Sequence, residues 1–89
     1  MRKPFLQVTY QDGQPEIAYL SLPRDPGEKS VDSERIEPEM VLDFNAEGKL
    51  IGIEILDPNE VSIDAINDIL RKYGLSPLSQ KELAPIVAA

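Results

Sequence analysis

The chain has no histidine, no cysteine and no tryptophan. Without histidine it lacks the side chain that titrates near neutral pH, and without cysteine it has no thiol nucleophile, disulfide or soft metal ligand. Zinc, copper and iron–sulfur sites are thereby disfavoured, and no cofactor is implied. Carboxylates, lysine, serine and tyrosine remain available for chemistry, so catalysis loses its commonest tools without being excluded. Long apolar runs are missing too. The longest mostly apolar stretch, residues 50–56, is interrupted by Gly52 and Glu54 and falls far short of the ~20 residues that span a bilayer. Arg2 and Lys3 are followed by no apolar stretch of signal-peptide length. The expectation is a soluble, cytoplasmic protein.

What the chain does have is acid. Sixteen Asp and Glu against nine Lys and Arg give a net charge of −7 over 89 residues. Such a field repels phosphate backbones, and the basic residues are scattered rather than gathered in a patch, so direct nucleic-acid binding is not expected. A chain of this length forms one small domain, burying little more than ~60% of the surface its unfolded form exposes.

Residues 5–10 and 17–22 are short apolar and aromatic runs, separated by a segment containing Asp12-Gly13, a hairpin signal. Leu6, Val8 and Tyr10 share one side of the first run, and Ala18, Leu20 and Leu22 one side of the second. Residues 23–30 combine two prolines, a glycine and alternating charges and read as a mobile surface loop. Residues 31–37 fit a short polar edge strand carrying Ile36, which Pro38 separates from the apolar run of residues 40–44.

Asn45-Ala46-Glu47-Gly48-Lys49 is the clearest local signal, with Asn45 opening a type I turn and Gly48 taking positive φ. Regular pairing from this turn sets Phe44 against Leu50, Asp43 against Ile51, Leu42 against Gly52, Val41 against Ile53 and Met40 against Glu54. One face then carries Met40, Leu42, Phe44, Leu50, Gly52, Glu54 and Leu56, and the other Val41, Asp43, Ile51, Ile53 and Ile55. Asp57-Pro58-Asn59-Glu60 has the form of a helix start, with Ser62 as a competing cap; Ile63, Ile66, Ile69, Leu70 and Tyr73 recur at helical spacing up to Gly74. Ser79-Gln80-Lys81-Glu82 can cap a last turn before Pro85, and residues 86–89 are expected to be loose or docked on a partner.

These elements predict an α+β fold: an antiparallel β-meander of four or five strands over residues 5–56, one main C-terminal helix over 57–74, and a tail over 75–89. One helix covers one sheet face, and the pairing above leaves a second apolar face. A homodimer or a small protein partner is the expected cover, with Met40, Leu42, Phe44, Leu50 and Leu56 as the candidate interface.

Glu54 stands mid-strand among apolar side chains and must be paired, hydrogen-bonded or neutral. Its functional reading is a general acid or base, or a hard-cation ligand with a second carboxylate; its structural reading is an acceptor satisfied within the fold, by backbone amides, a tyrosine or an arginine. Glu16, Tyr10 and Tyr19 are the other candidate polar-site residues, whereas the regular register puts Asp43 on the face opposite Glu54. Asp32, Glu34, Glu37 and Glu39 lack the ligand spacing of a calcium loop and read as a solvated edge.

The residues Thr9-Tyr10, Ile17-Ala18-Tyr19-Leu20-Ser21-Leu22, Met40 to Asn45, Gly48 and Gly52-Ile53-Glu54-Ile55-Leu56 resemble a small prokaryotic family of unknown function. Its marks are a tyrosine–aspartate hairpin and a D-x-x-G turn leading into G-I-E-I-L, and the resemblance covers residues 5–57. Gln11 replaces an aspartate of that pattern, Glu16 a second, and Asn45 the turn aspartate. The loss at position 11 tells against a carboxylate catalytic or metal site. The resemblance implies a compact, sheet-rich domain without an established activity and, through members lying beside small toxin-like genes, an antitoxin-like role. The resulting expectation is a non-enzymatic protein-interaction module. The alternative is a small carboxylate-based enzyme or a metal- or ligand-binding domain centred on Glu54.

Overall fold

A computed structural model of the chain describes residues 4–24, 27–37 and 39–85. Five antiparallel strands, β1 (Phe5–Gln11), β2 (Gln14–Ser21), β3 (Asp32–Ile36), β4 (Met40–Phe44) and β5 (Leu50–Ile55), are followed by a 3₁₀ turn (Pro58–Glu60) and one helix, α1 (Ile63–Lys72). The expected α+β architecture is thus present. Among the described residues no helix is long and apolar enough to cross a membrane.

The strand order is β1-β2-β5-β4-β3, so the connectivity departs from a simple meander at one point. The chain leaves β2, crosses to the far edge as β3, and returns through β4 so that β5 closes against β2. Composition explains the placement. β5 (LIGIEI) is buried at all but one position and takes the centre, while β3 (DSERI), with three charges, takes an edge where its outer side meets water.

The β1–β2 hairpin turns at Asp12-Gly13, both at positive φ (53° and 77°), as a two-residue primed turn requires. Tyr10 faces Pro15 and Thr9 faces Ile17, so Glu16 is the extra residue of a bulge. The Asn45 turn forms as its sequence dictates. The Asn45 backbone N–H donates to the Lys49 carbonyl at 2.9 Å, its Oδ1 accepts from the Glu47 and Lys49 amides at 3.0 and 2.8 Å, and Gly48 has φ 81°.

Past this turn the ladder slips by one residue. Phe44 still pairs with Leu50, but Asp43 pairs with Gly52, Leu42 with Ile53, Val41 with Glu54 and Met40 with Ile55. Ile51 is the extra residue of a bulge, and because strand side chains alternate, every residue beyond it changes face. Ile53 and Ile55 therefore join Met40, Leu42 and Leu50, along with Ala18, Leu20 and Leu22, on the side that α1 covers with Ile66, Ile69 and Leu70. The expected distribution of two largely apolar faces is corrected: a single face holds the core, and the other is mixed and polar.

The helix start is also resolved between its two caps. Asp57 caps only the 3₁₀ turn, accepting from the Asn59 amide at 3.1 Å; Val61 is extended and buried, and Ser62 caps α1 by accepting from the Ala65 amide at 3.1 Å. Burying Val61 under the sheet costs the helix its first turn. At the other end Gly74, at φ 76°, lets the Leu75 amide reach back to the Leu70 carbonyl at 2.7 Å. The tail then returns along α1. Asn67 grips the Leu78 backbone from both sides, at 2.8 and 2.7 Å, Ser79 and Glu82 cap each other, and Leu83 is fully buried in the core. Residues 86–89, expected to be loose or docked on a partner, lie outside the described residues, as do Met1 to Lys3, Asp25, Pro26 and Pro38.

Candidate functional site

The side of the sheet away from α1 carries Gln7 and Thr9 on β1, Tyr19 and Ser21 on β2, Gly52 and Glu54 on β5, Val41 and Asp43 on β4, and Ser33 and Arg35 on β3. Tyr19 is its centre. Its ring lies across β5 over Gly52, where an added Cβ would overlap the phenol hydroxyl and Cζ. Reaching over that gap, the Tyr19 hydroxyl donates to Asp43 Oδ2 at 2.9 Å, and Ser33 Oγ donates to Asp43 Oδ1 at 2.7 Å. A hydrogen-bonded line thus runs from β2 across β5 and β4 to β3. Gly52 serves here by lacking a side chain; its backbone is not at positive φ.

Arg24 completes the cluster. Its Nη2 donates to the Ile51 carbonyl at 2.7 Å and to Ser21 Oγ at 3.2 Å. That carbonyl also accepts from the Leu22 amide at 3.1 Å, one step beyond the last β2–β5 pair, so a backbone amide and the Arg24 guanidinium satisfy it together. Glu28 accepts from Asn45 Nδ2 at 2.9 Å. The segment expected to be a mobile loop is therefore fastened to the sheet at Arg24 and Glu28. Burial pushes the Tyr19 phenol above its ordinary pKa of 10.0; the Arg24 guanidinium opposes this, while the Asp43 carboxylate adds to it.

Glu54 is the direct cross-strand partner of both Tyr19 and Val41. It is half-buried, and its carboxylate makes no hydrogen bond or ion pair with another described residue. Asp43, assigned to the opposite face by the regular register, lies on the same face as Glu54, diagonally across the ladder. Tyr10 and Glu16 stand elsewhere, exposed at the hairpin tip, with Glu16 roughly 10 Å along the strand from Tyr19. Among the described residues no three carboxylates converge to hold a metal ion.

The candidate interface residues separate. Met40, Leu42 and Leu50 are core, Phe44 packs on Tyr73 with ring centroids 5.5 Å apart, and Leu56 is half-buried where its amide bonds to the Glu39 carbonyl. The bulge, by moving Ile53 and Ile55 under the helix, turns those residues inward. Asp43, Ser33 and Arg24 are the site residues that regular pairing misses. The signal for them is Gly52, since a glycine inside an apolar strand marks a bulge or the close approach of another group, and here it marks both.

Comparison with curated proteins finds no match, and comparison with solved structures finds none. A family model described as a protein of unknown function, DUF2283, matches residues 8–57, which hold the second half of β1, all of β2 to β5 and the whole Tyr19–Asp43–Glu54 arrangement, leaving α1 outside. The chain belongs to the DUF2283 family.

Proposed function

We propose that the protein is a non-enzymatic interaction module of the cytoplasm, antitoxin-like in kind, that receives a small basic protein on the open face of its sheet. The observation that carries this reading is Glu54. It is a partly desolvated carboxylate beside Tyr19 with no cation or donor from a described residue, in a chain of net charge −7. A carboxylate so placed gains most from a lysine or arginine supplied from outside, and the surrounding acidic field draws a basic partner in. Tyr19, locked over Gly52 by Asp43, offers beside it a rigid aromatic surface of the type that anchors interfaces. Two copies of this chain meeting through this face would instead set like charges together, which favours an unlike partner.

The test is affinity capture from the source cell with the wild-type protein and with Glu54→Lys, followed by identification of the bound chain and reconstitution from purified components. The reading expects one stoichiometric partner of high isoelectric point, released by salt and absent from Glu54→Lys, with amide protection on reconstitution confined to residues around Tyr19 and Glu54. No partner, or a partner held equally by Glu54→Lys, overturns it.

A further inference from the structure

The outer side of β1 is distinct from the open face and is built differently from the other sheet edge. β1 is a terminal strand of the sheet, seven residues long, and among the described residues nothing pairs with its outer edge. In an antiparallel sheet every second residue of such a strand turns its N–H and C=O outward, leaving a row of unpaired backbone groups. Edges of this kind are ordinarily blunted by charge or proline. The opposite edge, β3, follows that rule with Asp32, Glu34 and Arg35 within five residues. β1 does not: Phe5-Leu6-Gln7-Val8-Thr9-Tyr10-Gln11 contains neither a charge nor a proline, in a chain with 28% charged residues. Large exposed apolar side chains gather here as well, with Phe5 48% and Tyr10 55% exposed on β1 and Ile17 38% exposed beside Thr9 on β2.

We infer that β1 pairs antiparallel with β1 of a second copy, joining two five-stranded sheets into one continuous sheet about a twofold axis at Gln7. The neutrality of the strand selects this occupant. Two chains of net charge −7 repel over most of their surfaces, and β1 is the edge along which they can meet without setting like charges opposite one another. The sequence is also self-complementary about Gln7. Antiparallel pairing there puts Leu6 of one copy against Val8 of the other on the helix side, where both already pack against the core, and Phe5 against Thr9 on the open side. Backbone groups left unpaired in the monomer are satisfied, and the open face with Tyr19 and Glu54 stays free in each copy.

The experiment is light scattering and sedimentation over a dilution series from millimolar to micromolar, on the wild type, Gln7→Lys, Gln7→Glu, and an equimolar mixture of the two variants. Gln7 is exposed, so both variants keep the fold, which circular dichroism and urea unfolding verify. A concentration-dependent wild-type dimer is expected, weakened about fivefold by Gln7→Lys because lysines then face each other across the seam. That weakening would occur although the substitution lowers the net negative charge, a change that by itself relieves repulsion between copies. The mixture is expected to recover dimer, as lysine then faces glutamate. A wild type that stays monomeric throughout overturns the inference, as does a dimer indifferent to Gln7→Lys or a mixture that associates no better than either variant alone.

Discussion

The phenol of Tyr19 occupies the space that a side chain at residue 52 would fill, and Gly52 thereby lets a residue of β2 reach Asp43 of β4 across the central strand. Three strands are tied by one side chain. The same glycine follows Ile51, the extra residue that shifts the β4–β5 register and places Glu54 and Asp43 on a common face. Bulge, glycine and tyrosine form one device, and its parts should respond to mutation together.

Gly52→Ala is expected to lower stability by about 1–3 kcal/mol, because the methyl forces the Tyr19 ring off the strand and the rest of the cluster shifts with it. Tyr19→Ala removes the obstacle. Urea unfolding of the two single variants and the double variant should show strong non-additivity, with Gly52→Ala costing much less when residue 19 is alanine. Additive losses would mean that the glycine answers to the backbone rather than to the tyrosine.

Tyr19 also sets an alkaline limb. Its pKa is raised in the folded protein, so the native state holds the phenol proton more tightly than the unfolded chain does. Its contribution is complete below the unfolded value near 10.0 and is lost as pH rises through the higher folded value. Stability measured across this range should fall in the wild type, and the fall should be shallower in Tyr19→Phe. At neutral pH the same variant loses the hydrogen bond to Asp43, at a cost of about 1 kcal/mol. An unchanged alkaline slope in Tyr19→Phe would assign that slope to another group.

Glu54→Gln is expected to change stability by no more than about 0.5 kcal/mol, since no described cation or donor is lost and the amide fills the same half-buried space. Partner binding should drop while the unfolding midpoint holds. A loss of stability above about 2 kcal/mol would show that Glu54 serves the fold instead.

Much of this fold is legible in the sequence because local chemistry and tertiary need agree. Asp12-Gly13 makes the hairpin, Asn45 and Gly48 make the second turn, and Gly74 ends the helix, each by a backbone conformation its residue favours. The register beyond Asp43 is different. Gly52 marks an irregularity in the strand without fixing which residue is extra; the gain from making it Ile51 comes from burying Ile53 and Ile55 beneath α1, a contact between distant segments. A period-two reading cannot supply that shift, so it places Asp43 and Glu54 on opposite faces and finds an uncovered apolar face. The grip of Asn67 on Leu78 is hidden for a related reason, because on the helix it reads as one more polar residue until the returning tail meets it.

Asn45 is expected to tolerate aspartate in its turn but not beside Glu28. The aspartate keeps the Oδ1 acceptor shared by the Glu47 and Lys49 amides, yet it replaces the Nδ2 donor to Glu28 with a second negative charge. Asn45→Asp should therefore be destabilised at low ionic strength and recover part of the loss as added salt screens the two carboxylates. Asn45→Ala, which loses the one oxygen that accepts from both amides, should show no such recovery. Parallel urea titrations of the two variants at low and high salt make the comparison.

Asn67→Ala is expected to free the tail while leaving the sheet intact. The buried amide donates to the Leu78 carbonyl and accepts from its N–H, satisfying a stretch of backbone that belongs to no helix or strand. Its removal strands both backbone groups and weakens the hold on Leu83, whose full burial contributes about 1.5–3 kcal/mol. A loss of about 2–3 kcal/mol should follow, together with fast exchange of the Leu78 amide and proteolytic nicking after Lys81, while the amides of β5 keep their protection. Leu83→Ala should give the same exchange pattern by removing the far anchor. If Asn67→Ala instead deprotects β5 as strongly as residues 75–85, the tail is an integral part of the cooperative core rather than a strap laid over it.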